Sequence, residues 1–153
     1  MKKGIVVLFM LLVTASTMLA QKTGYKNESP LDFQKMMTKK KGVLIDLRTP
    51  DEIKKGKIKG ATEIDFLAVD FEKEADKLDK KKTYYVYCAG GGRSADAAEI
   101  LVKKGFKNVV NLTGGFSAWK KANLEIELNK NGRKEIKTCG PFLEVLAVLV
   151  LKH

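Results

Sequence analysis

Three short runs, VLID (43–46), TYYVYC (83–88) and NVVNL (108–112), are rich in apolar and aromatic residues and lack a polar residue at every second position. Strands of that kind are buried on both faces, as in a parallel sheet covered by helices. Helical segments stand between them. FEKEADKLDK (71–80) carries Phe71, Ala75 and Leu78 at helical spacing. The segment from about Ser94 to Lys104 places Ala97, Ala98, Leu101 and Val102 on one face, with Gly105 suited to close it. Ser29 followed by Pro30 reads as the N-cap and first residue of an earlier helix. DEIKKGKIKGA (51–61) reads as a short helical turn broken by Gly56 and Gly60, and GFSAWKKA (115–122) as a last short helix. Strands alternating with helices predict an α/β domain with helices on both faces of the sheet. Ligands of such sheets bind at the carboxyl ends of the strands. Asp46 and Cys88 both stand at those ends.

The two ends of the chain are of another character. Met1-Lys2-Lys3, the apolar run Ile5–Val13 and the small residues up to Ala20 have the layout of a secretory signal peptide. Cleavage is expected after Ala20, or after Ala15, giving an exported, periplasmic or secreted protein. A single membrane anchor is the alternative, although the run is short for a spanning helix. Residues 21–128 then form the domain, and 129–153 an extension. LEIELNKNGRKEIK predicts a hairpin turning at Asn131-Gly132. In the apolar tail 142–151 only Glu144 is polar, and the tail is read as a buried element or a weak membrane contact.

The formal charge of +11 comes largely from lysine clusters at 39–41, 80–82, 103–104 and 120–121. They predict a solvated surface, or attraction of small oxyanions and acidic surfaces. Nucleic acid is not expected, because the basic residues are not interleaved with aromatics on one element. Two cysteines are too few for a disulfide framework. One of them, Cys88, opens the loop CAGGGRS (88–94) between a strand and a helix.

That loop has a physical logic. A strand, a glycine-rich turn and a helix N-terminus aim several backbone N–H groups at one point, and the helix dipole favours an anion there. The candidate anion is the sulfur of Cys88 itself. A free cysteine is only a few per cent thiolate at neutral pH, and such a ring of donors favours the ionised form. The lone histidine is His153 at the chain end, so activation rests on electrostatics rather than on a Cys–His pair. The loop lacks the lysine of a GxxxxGK[ST] phosphate loop.

Several pieces, in order, resemble a single-domain rhodanese, a sulfurtransferase, over roughly residues 24–128: Asp46-Leu47-Arg48, Glu52, GKIKGA (56–61), the C-x-x-G-x-R loop at 88–93 and L-x-G-G-F-x-A-W at 112–119. The resemblance implies a five-stranded parallel sheet flanked by helices. It implies that Cys88 attacks the outer sulfur of a thiosulfate-like donor, holds it as a persulfide, and yields it to cyanide or a thiol, which includes a protein sulfur acceptor. The N–H groups of Ala89, Gly90, Gly91, Gly92 and Arg93, with Ser94 beside them, would cradle that sulfur. Arg93 would orient the loop and, with the lysines, offset the donor's charge. Asp46 and Arg48 would support the loop, through a capping salt bridge or by a direct role. Gly114, Gly115 and Trp119 are read as packing elements. No cofactor or metal is implied.

Lys57 stands where the family often has histidine. Phosphatase-like and arsenate-reductase-like enzymes place five residues between cysteine and arginine, and here there are four, Ala89 to Gly92. A non-enzymatic rhodanese-like binding module is the alternative of another class. A thiol-redox or sulfur-relay partner with Cys139 as resolving thiol is the third.

Overall fold

The computed structural model describes residues 24–130 and 133–137. The proposed signal peptide, the Asn131-Gly132 turn, Cys139 and the apolar tail lie outside them. In chain order the elements are β1 (Lys26–Glu28), α1 (Pro30–Lys39), β2 (Val43–Asp46), α2 (Pro50–Ile53), β3 (Thr62–Glu63), α3 (Phe71–Asp76), β4 (Thr83–Tyr87), α4 (Gly92–Lys103), β5 (Asn108–Leu112), α5 (Gly115–Lys121), β6 (Ile126–Lys130) and β7 (Arg133–Lys137). The first five strands form one sheet in the order β1-β5-β4-β2-β3, and every pairing in it is parallel.

The uninterrupted runs are what this arrangement demands. All five residues of β4, at the centre, are buried. Its side chains divide between two cores by the period of two. Tyr84 and Val86 join Ile45 and Val109 under α3 and α4, where Phe71, Ala75, Ala97, Ala98 and Leu101 are packed. Tyr85 and Tyr87 join Leu44, Val110 and Leu112 on the other face with Phe33 of α1 and Trp119 of α5. Cys88 continues the first series and is 1% exposed. Each fully buried large apolar side chain contributes on the order of 1.5–3 kcal/mol, so both layers hold the sheet.

Local signals act as expected at α1. Ser29 Oγ accepts from the Asp32 N–H at 3.3 Å, Pro30 is the first helical residue, and Lys39 lies in the last turn. A cap of this kind is worth about 1 kcal/mol. The hairpin β6–β7 pairs antiparallel and forms its own sheet. It is tied to the domain by a two-way backbone bridge between Lys57 and Glu127 (2.9 and 2.8 Å) and by the burial of Ile126. The first residue of the hairpin, Ile126, thus lies inside the second core.

Candidate active site

β4 delivers Cys88 to the carboxyl end of the sheet, and the Leu47 N–H donates to the Tyr87 carbonyl at 2.9 Å to fix that end beside β2. The turn that follows is tight. Gly91 caps α4 with φ +99°, a left-handed value that suits glycine. This conformation points the Gly91 N–H at Cys88 Sγ, 3.1 Å away. The Ser94 hydroxyl is 3.5 Å from Sγ and 3.1 Å from the Gly91 carbonyl, so its single proton serves one or the other.

α4 begins at Gly92, two residues before the expected start at Ser94. The N–H groups of Gly92, Arg93 and Ser94 therefore open the first turn, where no intrahelical carbonyl can accept from them. Gly90 and Gly92 have open space where a Cβ would stand. They leave the mouth of the loop unobstructed rather than serving as backbone hinges.

The outer side of the loop is held by α5. The Phe116 N–H donates to the Cys88 carbonyl at 2.8 Å and the Ser117 N–H to the Ala89 carbonyl at 3.0 Å. These bonds turn the carbonyl edges of the first two peptides of the turn toward α5. Gly115, at φ +57°, makes this approach possible. A Cβ there would lie 2.4 Å from the Cys88 carbonyl oxygen and 2.8 Å from the Gly91 nitrogen. The packing role read for Gly115 is thus packing against the loop itself. Trp119 is buried and donates its indole N–H to the Glu125 carbonyl at 2.9 Å.

Arg93 stands at the mouth and is gripped by Glu52. Nη1 lies 2.9 Å from Oε2 and Nη2 2.7 Å from Oε1. The carboxylate is itself fixed by a capping box, with Thr49 N–H donating to Oε2 at 3.0 Å and Thr49 Oγ1 accepting from the Glu52 N–H. The Arg93 hydrogen bonds, joined by those of Thr49, hold the Glu52 carboxyl down at about 2. Glu52 raises the Arg93 guanidinium in turn, and the nearby Cys88 sulfur adds to the effect.

Asp46 and Arg48 form a buried pair that does not touch the sulfur. Arg48 Nε donates to Asp46 Oδ1 at 2.9 Å and Nη2 to Oδ2 at 2.6 Å, and the Tyr87 hydroxyl donates to Oδ2 at 2.6 Å. Burial first, and then the Asp46 charge, push the Tyr87 phenol well up, so it remains a donor. The Arg48 guanidinium reaches the Gly56 carbonyl at 2.8 Å and the Glu52 carbonyl at 3.4 Å, and lies 4.0 Å over the Phe116 ring. It therefore touches both supports of the loop, α2 and the start of α5. Of the two roles open for the pair, the geometry is that of a support.

Glu52 and Tyr87 had been given no role in the reading of the residues. The Thr49-x-x-Glu52 spacing was a signal for the capping box, but nothing local marks Arg93 as its partner. Of the lysines between α2 and β3, Lys54 pairs with Asp51, Lys57 with Glu63 and Lys59 with Glu125, while Lys120 lies 5.2 Å over the Phe116 ring.

The Rhodanese-like domain family profile matches residues 29–122. Thiosulfate sulfurtransferase GlpE of Coxiella burnetii is 34% identical over 107 residues, covering 70% of this chain and 98% of that protein. A rhodanese-related protein from Thermoplasma volcanium superposes with a TM-score of 0.61 at 25% identity, over 69% of this chain and all of that one. The polysulfide-sulfur transferase homodimer of Wolinella succinogenes gives a TM-score of 0.57 at 30% identity, over 80% of this chain and 88% of that one. With the parallel sheet, the cysteine at the end of its central strand and these likenesses together, the chain belongs to the rhodanese-like domain family.

Proposed function

We propose that the protein is a sulfurtransferase that moves sulfane sulfur from a thiosulfate-like donor to cyanide or a thiol through a Cys88 persulfide. The observation that carries this reading is the placement of Cys88 at the end of the central strand, where the Gly91 N–H donates to Sγ at 3.1 Å and α4 begins one residue later. The relatives named as sulfurtransferases support it.

The chemistry follows from those groups. The Cys88 thiolate attacks the outer sulfur of the donor, an S–S bond forms, and the donor's own S–S bond breaks with its electron pair leaving on sulfite. The outer persulfide sulfur carries the charge, and N–H donors already in place stabilise it without reorganisation. An acceptor thiolate or cyanide then attacks that outer sulfur, and the bonding pair returns to Cys88 as thiolate. Arg93, held by Glu52, supplies a fixed positive edge at the mouth while the donor binds. No step needs a metal ion or a cofactor.

Treatment with thiosulfate is expected to leave the protein heavier by one sulfur atom, and cyanide or excess thiol to remove it. Cys88→Ser is expected never to take up that atom. A Cys88→Ser protein that still transfers sulfur overturns the Cys88 persulfide, and a wild type that gains no mass from thiosulfate or polysulfide overturns the reading in favour of a binding module. Export is a separate proposal resting on the layout of residues 1–20. N-terminal sequencing of protein recovered from its native host is expected to begin at Gln21, and an intact Met1 on a cytosolic protein overturns it.

A further inference from the structure

In a parallel sheet every loop that feeds a strand lies at the same end, opposite to the loops that leave the strands. This chain places its lysine runs on feeding loops. Lys39 to Lys41 precede β2, Lys80 to Lys82 precede β4, and Lys103 and Lys107 flank the turn into β5. The register brings them together, since Val43 pairs with Tyr84 and Thr83 with Asn108. Lys40 Nζ reaches across to Asn108 Oδ1 at 3.3 Å.

These eight lysines are exposed, and none forms an ion pair among the described residues. The acids near them are few. Asp76 and Glu72 are both taken by Lys104, and the Asp79 carboxylate accepts from the Lys81 backbone. The catalytic end, by contrast, pairs its cations with acids: Arg48 with Asp46, Arg93 with Glu52 and Lys57 with Glu63. Eight lysines without an ion pair among the described residues thus gather at the end of the sheet opposite Cys88.

Within this basic end lies a cleft of about 550 Å³, bordered by Tyr25, Met36, Val109 and Val110 and by Lys26, Lys40 and Lys107. An apolar bed rimmed by amines suits an anionic amphiphile. Lysine clusters around an apolar cleft have the chemistry that recognises anionic lipid headgroups.

We infer that the amino end of the sheet is a docking face for an anionic phospholipid surface, with the active-site loop held on the far side. The inference stands independently of sulfur transfer, which serves in its test only as a sign of correct folding.

The test is co-flotation of the full chain with vesicles of phosphatidylcholine alone and with vesicles containing phosphatidylglycerol. Wild type is expected to bind the anionic vesicles at least tenfold better, with the difference collapsing as salt is raised through the range where the screening length falls from about 30 to about 8 Å. Changing Lys80→Glu, Lys81→Glu and Lys82→Glu together should abolish the preference. A charge-matched control, Lys54→Glu, Lys55→Glu and Lys121→Glu, should keep it. Lys39→Gln, Lys40→Gln and Lys41→Gln provide a second, milder variant, and each variant is compared at unchanged persulfide formation. Equal binding to both vesicle types by wild type overturns the inference. So does a control that loses as much as the Lys80–Lys82 variant, since net charge alone would then explain the effect. Capture of an acidic peptide or DNA without any preference for anionic vesicles also overturns the lipid assignment.

Discussion

Glu52 grips both terminal nitrogens of Arg93, with oxygens 2.7 and 2.9 Å away, and so couples α2 to the first turn of the helix behind Cys88. A bidentate pair of this kind fixes orientation as well as charge. The loop is therefore positioned from two directions, by α5 on its carbonyl side and by Glu52 at its mouth.

Breaking that grip is expected to separate binding from turnover. In Glu52→Gln the positive charge of Arg93 remains and gains no new opponent, so KM for thiosulfate should not rise. The loosened guanidinium should lower kcat about tenfold, about 1.4 kcal/mol in the barrier. A rise in KM with kcat unchanged would show that Glu52 acts in donor binding and not in positioning.

The same pair predicts a pH signature. The Glu52 carboxyl is held at about 2 in the folded protein against an ordinary 4.5, chiefly by Arg93. A depressed carboxyl contributes its stability fully above the ordinary value and loses it as pH falls toward the folded one. The stability difference between wild type and Glu52→Gln should therefore be constant above about pH 5 and shrink between about 4.5 and 2. Denaturant unfolding across that range measures it, and a difference that grows on acidification would contradict the assignment.

Gly115→Ala should disable the loop without unfolding the domain. Its Cβ would have to displace the Cys88 carbonyl or the Gly91 nitrogen. Gly105→Ala is the matched control, because Gly105 also has a positive φ, +94°, but open space around it. Backbone strain alone costs about 1–2 kcal/mol at either position. Gly115→Ala is expected to lower kcat for sulfur transfer at least a hundredfold, about 2.7 kcal/mol in the barrier, and Gly105→Ala to leave it within about twofold. Ser117→Pro, at an exposed position in the first turn of α5, removes the donor to the Ala89 carbonyl and should fall between them. Equal losses in the two alanine variants would reduce Gly115 to a fold residue.

Ring size is open to a direct test. One extra glycine between Gly90 and Gly91 widens the turn while leaving the α4 cap and Arg93 in place. This variant is expected to lose most sulfur transfer and to bind phosphate or arsenate more tightly than wild type in a calorimetric titration. Sulfur transfer at an undiminished rate would move the preference for sulfur elsewhere in the pocket.

Much of the fold was legible because burial on both faces makes β2, β4 and β5 mostly apolar or aromatic with no alternation, and because Ser29-Pro30 carries its own capping chemistry. The start of α4 was misplaced by two residues for a related reason. Its N-cap is Gly91, which has no side chain to announce the role. Cys88 stood out through the glycines that follow it. Glu52 did not, since its partner lies 41 residues away and no periodicity links them. Tyr87 was hidden in the strand pattern, where an aromatic is explained by packing alone, while its hydroxyl serves Asp46 and the Ile58 N–H together. The uneven distribution of the lysines emerges only once the five strands of the main sheet are known to run the same way.

Cys88 is 1% exposed, and this burial treats the two halves of a transfer cycle unequally. A donor must bring a slender terminal sulfur down to Sγ, so bulky disulfides and protein partners are refused at that stage. Once loaded, the enzyme presents its reactive atom about 2 Å beyond Sγ, one S–S bond length further on. An acceptor therefore meets the sulfur on shallower ground than the donor did. Such a centre is narrow toward what it accepts and broader toward what it serves, and the empty thiol is shielded from adventitious oxidants.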